Sequence, residues 1–158
     1  MKKLKLYLDT SIWNFIFADD APEKKEITLR FFEQIQFFAI FISGIVLEEI
    51  AQADTEKRMK LENVLFKYKP AVLEVNSEVM RLSKLYIERG VIPMKKDDDA
   101  QHIAFSTYYE MDILLSWNYK HLANVFKKRK IQIINLEEGY DKPLELITPM
   151  EVINEDSN

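Results

Sequence analysis

Four places in the chain carry side chains able to do hard-cation or acid–base chemistry: Asp9, the pair Glu48 and Glu49, the run Asp97-Asp98-Asp99, and Asn118. Mg²⁺ and Mn²⁺ take oxygen ligands, usually a few carboxylates completed by water and substrate phosphates. Acids scattered through a sequence but gathered at one sheet edge make such a site. A metal held there generates hydroxide and stabilises a leaving oxygen in phosphodiester hydrolysis. Spacing alone does not establish that the acids converge. Helix caps and a solvated acidic helix face account for the same residues equally well.

The elements that must position these side chains follow from local pattern. Leu4 to Leu8 is a short apolar run ended by Asp9-Thr10-Ser11, which predicts a buried strand with Asp9 at its carboxyl end. Ligands of open α/β sheets bind outside those ends. Thr10 to Ala18 predicts a short helix, and Asp20 with Glu23 predicts a capping box for a helix reaching about Gln36. Phe37 to Ile42 suits a central parallel strand, and Ser43-Gly44 opens a helix, Ile45 to Ala53, that carries Glu48 and Glu49. Thr55 to Tyr68 is amphipathic, with Leu61, Val64, Leu65 and Tyr68 on one side. Ala71 to Val75 follows Pro70 as a strand, and Asn76 to Arg89 is a helix stopped by Gly90. Asp98 is the expected cap of the next helix, with Gln101 as its partner and Asp99 in the first turn. Asp112 to Ser116 predicts a strand and Tyr119 to Lys130 a basic helix. Ile131 to Leu136 is expected to close the sheet, with the tail from 137 to 158 packed loosely over it.

Strands alternating with helices indicate a three-layer α/β/α sandwich around a mainly parallel sheet. With 158 residues, one domain (1–158, core about 4–136) is expected, long enough for a real core. Hydrophobic residues at 47% and charged ones at 30% are ordinary for a globular protein. Cysteine is absent, which excludes disulfides and thiolate zinc sites and fits a cytoplasmic location. No signal-peptide core or membrane-length apolar run is seen, so no membrane partner is expected. The net charge of −4 argues against a simple electrostatic nucleic-acid binder, although local patches and metal ions can still recruit one.

Four segments in order carry a resemblance. YLDTSIW (7–13), ISGIVLEEI (42–50), DAQHIA (99–104) and LLSWN (114–118) are similar to the four motifs of the PIN-domain family. That family of metal-dependent ribonucleases includes the VapC-type toxins of toxin–antitoxin pairs. The resemblance spans roughly residues 4 to 136. It implies a Mg²⁺- or Mn²⁺-dependent endoribonuclease acting on single-stranded or loop RNA. The implied partners are a second copy of the chain and a small antitoxin whose basic side chain plugs the acidic cleft.

Carried across residue by residue, the metal and catalytic acids are Asp9, Glu49 and Asp99. Glu48 is the structural alternative to Glu49; Asp98 reads as a cap and Asp97 as solvated, with either able to reach the groups around the metal acids. Thr10 and Ser11 would orient Asp9 or cap the helix. Asn118 departs from the pattern: many active members have Asp there, and the amide keeps an acceptor oxygen but no charge. That implies one well-held ion rather than two, and leaves a rival: a PIN-like module that binds RNA or protein without cutting. His102 reads as a satisfied structural histidine, His121 as exposed, and Trp13 and Trp117 as core or rim aromatics. Lys95, Lys96, Lys120 and Lys127 to Lys130 are candidate phosphate contacts. For the last group, the dipole of a helix C-terminus is the competing explanation. Two other acidic-site α/β classes fit poorly. A haloacid-dehalogenase-like phosphatase would want Asp where Ser11 stands, and a receiver domain lacks its paired acids and late lysine.

Overall fold

A computed structural model describes residues 2–118 and 124–154. Its centre is a five-stranded, wholly parallel sheet in the order β3-β2-β1-β4-β5, with β1 Leu4–Leu8, β2 Phe38–Ser43, β3 Ala71–Leu73, β4 Ile113–Leu115 and β5 Glu145–Ile147. Around it lie α1 Thr10–Phe15, α2 Pro22–Glu33, α3 Gly44–Ala51, α4 Thr55–Tyr68, α5 Ser77–Glu88, α6 Asp97–Tyr108 and α7 Val125–Glu137. The architecture is the expected α/β/α sandwich.

Side-chain alternation along the strands divides the core in two. Leu6, Leu8, Ile113 and Leu115 point to one face and pack with Ile12, Trp13, Phe31, Val46, Ile50 and Leu61 from α1 to α4. Tyr7 and Leu114, between them in sequence, point to the other face, against Val79, Leu82 and Tyr86 of α5, Ile103 and Phe105 of α6, and Ile131 and Ile134 of α7. From β1 the chain steps outward to β2 and β3, then returns to the other side of β1 for β4 and β5. The order therefore reverses between β1 and β4, and the crevice beyond their carboxyl ends is the place where such sheets bind ligands.

The largest departure from expectation is near the end of the chain. Ile131 to Leu136 is not a strand but the second half of α7. Asn124 caps that helix through its side chain, accepting from the Phe126 and Lys127 amides, and Ile131 and Ile134 lie one turn apart on its buried side. The last strand comes instead from the tail, which is not loosely laid over the sheet: Glu145–Ile147 pairs with β4 and buries Leu146. A short apolar run satisfies both periods, and only the fold decides between them.

Smaller differences concern helix starts. Asp20 does not cap α2; Ala21 holds that position without a side-chain bond, and Pro22 begins the helix, where its missing N–H costs nothing. Asp98 does not cap α6 and Gln101 is not its capping partner. A 3₁₀ turn, Met94–Lys96, runs straight into the helix, so Lys96 occupies the cap position and all three aspartates fall in the first turn. Negative charge there is favoured by the helix dipole.

Candidate functional site

Asp9 follows β1 directly and caps α1, with Oδ1 accepting from the Ser11 amide at 3.0 Å and the Ser11 hydroxyl at 2.5 Å. The Ser116 hydroxyl, just past β4, donates to Oδ2. Two cross-links then tie the neighbouring strand end to this acid: the Trp117 amide donates to Ser11 Oγ at 2.9 Å, and the Asn118 amide to Ser116 Oγ at 2.9 Å. Thr10 contributes nothing to this web. Its hydroxyl is buried and has no hydrogen-bond partner among the described residues.

Asp99, in the first turn of α6, meets Asn118 across the crevice. The Asn118 Nδ2 lies 3.4 and 3.3 Å from the two Asp99 oxygens. One turn further along α6, His102 points the same way, as residues three apart on a helix do. Its Nε2 is 3.1 Å from Glu49 Oε1, and its Nδ1 is 2.7 Å from the Tyr7 hydroxyl. Glu49 is half-buried, whereas Glu48 is exposed and lines a groove with Ile45, Val72, Val75 and Phe105. Of the two glutamates, Glu49 is the one brought to the crevice.

Electrostatics mark this as an expensive arrangement. Asp9 and Asp99 are each only 4% exposed. Burial pushes the Asp9 carboxyl above the ordinary aspartate value, against the opposing effects of His102 and its own hydroxyl partners. Burial raises Asp99 to about 6, helped by the charges of Asp98 and Asp9 and opposed by His102 and Lys96. At His102 burial disfavours the cation, yet the Glu49 hydrogen bond and the charges of Asp9, Glu49 and Asp99 outweigh it and raise the pKa. Three acids separated by 40 and 50 positions in the chain thus act on one imidazole.

Hard divalent cations take oxygen donors, and here Asp9 and Asp99 are buried ones and Glu49 a half-buried one. Among the described residues no three His, Asp or Glu side chains stand close enough together to hold a metal ion between them. A magnesium-type ion does not need such a group, since one or two carboxylates with water and substrate phosphate are its usual shell.

Other expected residues are placed as follows. Trp13 and Trp117 are buried, and Trp117 Nε1 donates to Thr28 Oγ1 at 2.8 Å, so both are core aromatics. Asp97 is exposed and Asp98 half-buried beside Asp99. Lys96 is close enough to lower the Asp99 pKa, while Lys95 is exposed. Lys127 to Lys130 stand in the first half of α7, at the wrong end for the helix dipole to favour them. Lys120 and His121 fall outside the described residues. Sequence reasoning met Ser116, Tyr7 and Ser43 only as strand ends or motif members and gave them no part in the site. For Ser116 a signal existed, its place two residues before Asn118 at a strand end.

A parallel α/β/α sheet with acids at its topological switch point defines a class, and the fold within that class is PIN/VapC-like. The VapBC2 structure from Rickettsia felis bound to a DNA fragment from their promoter matches with a TM-score of 0.55 at 14% identity, covering 90% of this chain and 98% of that one. No family model matches the chain, and no curated protein matches it by sequence.

Proposed function

We propose that the protein is a divalent-metal-dependent endoribonuclease of the cytoplasm in which Asp9, Glu49 and Asp99 would hold Mg²⁺ or Mn²⁺. The observation that carries this is the hydrogen-bonded web where strand order reverses, with Glu49 bonded to His102 and Asp99 joined through Asn118 and Ser116 to Asp9. When bound, the ion supplies Lewis acidity for phosphodiester hydrolysis. The protein's own contribution is orientation. Ser11 and Ser116 fix both Asp9 oxygens, Asn118 leans on Asp99, and His102 holds Glu49. The Lys127 to Lys130 cluster supports the reading, because four cations against the helix dipole are better explained by phosphate than by helix stability. The likeness to a VapBC2 complex supports one further part of the proposal, an antitoxin partner. Among the described residues no helix is long and apolar enough to cross a membrane.

The test is cleavage of a mixed RNA pool by purified protein with Mn²⁺, with EDTA, and with Asp99→Asn in parallel. Cutting that needs the metal and the acid is the expected result. A folded, inhibitor-free protein that cuts nothing in any lane would move the assignment to a PIN-like binding module. One observation favours that second reading: Asn118 puts an amide nitrogen, not a carboxylate, against Asp99.

A further inference from the structure

We propose that His102 is the positioning residue for Glu49, its imidazole turned and held by a buried Ser43–Tyr7 strut so that Nε2–H faces the carboxylate. The inference rests on the reading of Asp9, Glu49 and Asp99 as the reaction centre and adds how the most exposed of the three is kept there.

The need for such a device is visible on α3. Glu48 and Glu49 are adjacent on one helix; Glu48 stands exposed, and the Glu49 side chain still retains 31% exposure. A long side chain so placed would sample several rotamers, and ordering it costs entropy. The contact that keeps its carboxylate over the crevice is the 3.1 Å bond to His102 Nε2.

The ring itself cannot turn freely. His102 is 2% exposed, and its Nδ1 meets the Tyr7 hydroxyl at 2.7 Å; that hydroxyl meets Ser43 Oγ at 2.7 Å. Ser43 Oγ in turn accepts from the Ile45 amide at 3.3 Å, where β2 passes into α3. The strut therefore joins β1, β2 and α6 and ends on the carboxylate of α3. Hydrogen accounting selects the orientation. Tyr7 keeps its hydrogen, because burial drives its pKa far above the ordinary tyrosine value. If the hydrogens run from Ser43 to Tyr7 to Nδ1, the imidazole is neutral with its hydrogen on Nε2. If they run the other way, Nε2 faces Glu49 as a donor only when the ring carries both hydrogens. Both of these states put a donor on Glu49. Only the neutral Nδ1–H form fails, since it would set the Nε2 lone pair against a carboxylate oxygen. Which ring nitrogen carries the hydrogen is set in this way by the partner of the other.

Tyr7 and Ser43 also lie where apolar side chains would pack as well; Tyr7 is wholly buried and stacks near Phe105 at 6.4 Å between ring centroids. A buried polar chain that reaches an acid of the site is the outer layer that orients metal-binding groups, and losing such partners typically costs about 10–100-fold in metal affinity.

The experiment uses the full chain with ¹⁵N-labelled histidine. Two histidines are present, so His121→Gln assigns the spectrum. The nitrogen shifts of the metal-free protein should show a hydrogen on His102 Nε2; an Nδ1–H tautomer would overturn the proposal. Mn²⁺ titration calorimetry is the second readout. Tyr7→Phe keeps the ring and removes the strut, and it should weaken Mn²⁺ roughly tenfold. His102→Gln, which retains an N–H donor, should lose less than His102→Leu. Unchanged Mn²⁺ affinity in a folded Tyr7→Phe, with only thermal stability reduced, would make the strut merely structural. If the unaltered protein binds no Mn²⁺, the nuclease reading falls, and the orientation of Glu49 is decided by the nitrogen spectrum alone.

Discussion

The two ends of α6 carry two buried polar clusters built on opposite principles. Near its C-terminal end, Thr107 meets Tyr86 of α5 and Asn135 of α7: the Tyr86 hydroxyl lies 2.5 Å from Asn135 Oδ1 and 3.1 Å from Thr107 Oγ1, and Asn135 Nδ2 donates to the same threonine oxygen at 3.1 Å. Every member is neutral. Near its N-terminal end, the pKa of Asp99 is raised by burial and by the charges of Asp98 and Asp9, burial likewise raises that of Asp9, and His102 holds Glu49. A fold needing only to join helices would build the first kind, because buried polar groups are tolerated when each is paired without net charge. Repelling buried carboxylates lower stability in the absence of a cation. Among the described residues the buried carboxylates lie only at the switch point, which is what separates a site from a strut.

The largest expected effect tests that separation directly. Asp99→Asn removes a charge at nearly constant volume, and RNA cleavage should fall to the EDTA background in the pool assay. Loss of folding in this variant, seen by circular dichroism, would instead mark Asp99 as structural.

Next in size is the pH dependence of the metal-free fold. Asp99 titrates at about 6 in the folded protein, against an ordinary value of 3.8. Between those values the folded chain holds a proton that the unfolded chain has released. Its contribution is therefore present at low pH and lost as pH rises from about 4 to about 7, by about 3 kcal/mol at most for a shift of this size. Asp9 and His102 are shifted upward too, so their contributions have the same sign. Chemical denaturation of the metal-free protein at pH 4.5 and 7 should show the fall, and Asp99→Asn should flatten it. A slope unchanged in the variant would count against a buried, charged Asp99.

The neutral cluster should respond in the opposite way. Tyr86→Phe strips the donor from Asn135 Oδ1 and leaves it buried, at a cost of about 1–3 kcal/mol in denaturant unfolding. Mn²⁺ affinity and cleavage should be unchanged at temperatures where the variant stays folded. If Mn²⁺ binding weakens with it, the two ends of α6 are coupled and the contrast fails.

This division also explains what sequence could and could not reveal. Strand ends were legible because apolar runs stop abruptly at Asp9, Ser43 and Ser116, and those stops are where side chains of the site gather. The last strand was not legible. Ile131 to Leu136 offered an apolar run that β5, three residues long with an exposed first member, could not rival. His102 was read correctly as a satisfied histidine, but its partner was hidden: Glu49 lies 53 positions away, and no local spacing predicts that meeting. Tyr7 looked like one more apolar strand residue, since burial of its ring and use of its hydroxyl leave the same mark in a sequence. Asp98 looked like a cap because capping patterns record local preference, whereas the 3₁₀ turn before α6 is set by how the chain arrives from Pro93.

The smallest effect concerns Asn118, where the two clusters come closest in character. Its amide donates to Asp99 as a neutral partner would, and so brings a trace of the structural solution into the charged site. Asn118→Asp exchanges that donor for a fourth carboxylate. The metal-free protein should lose stability, because another negative charge faces Asp99, while Mn²⁺ affinity should rise by about tenfold, roughly 1.4 kcal/mol. The two changes must have opposite signs if the crevice is organised around a cation, since the repulsion that destabilises the empty site is what the ion relieves. Thermal melts with and without Mn²⁺ measure both at once. A variant destabilised equally in the two conditions would mean that Asn118 serves only to hold α6 against the end of β4.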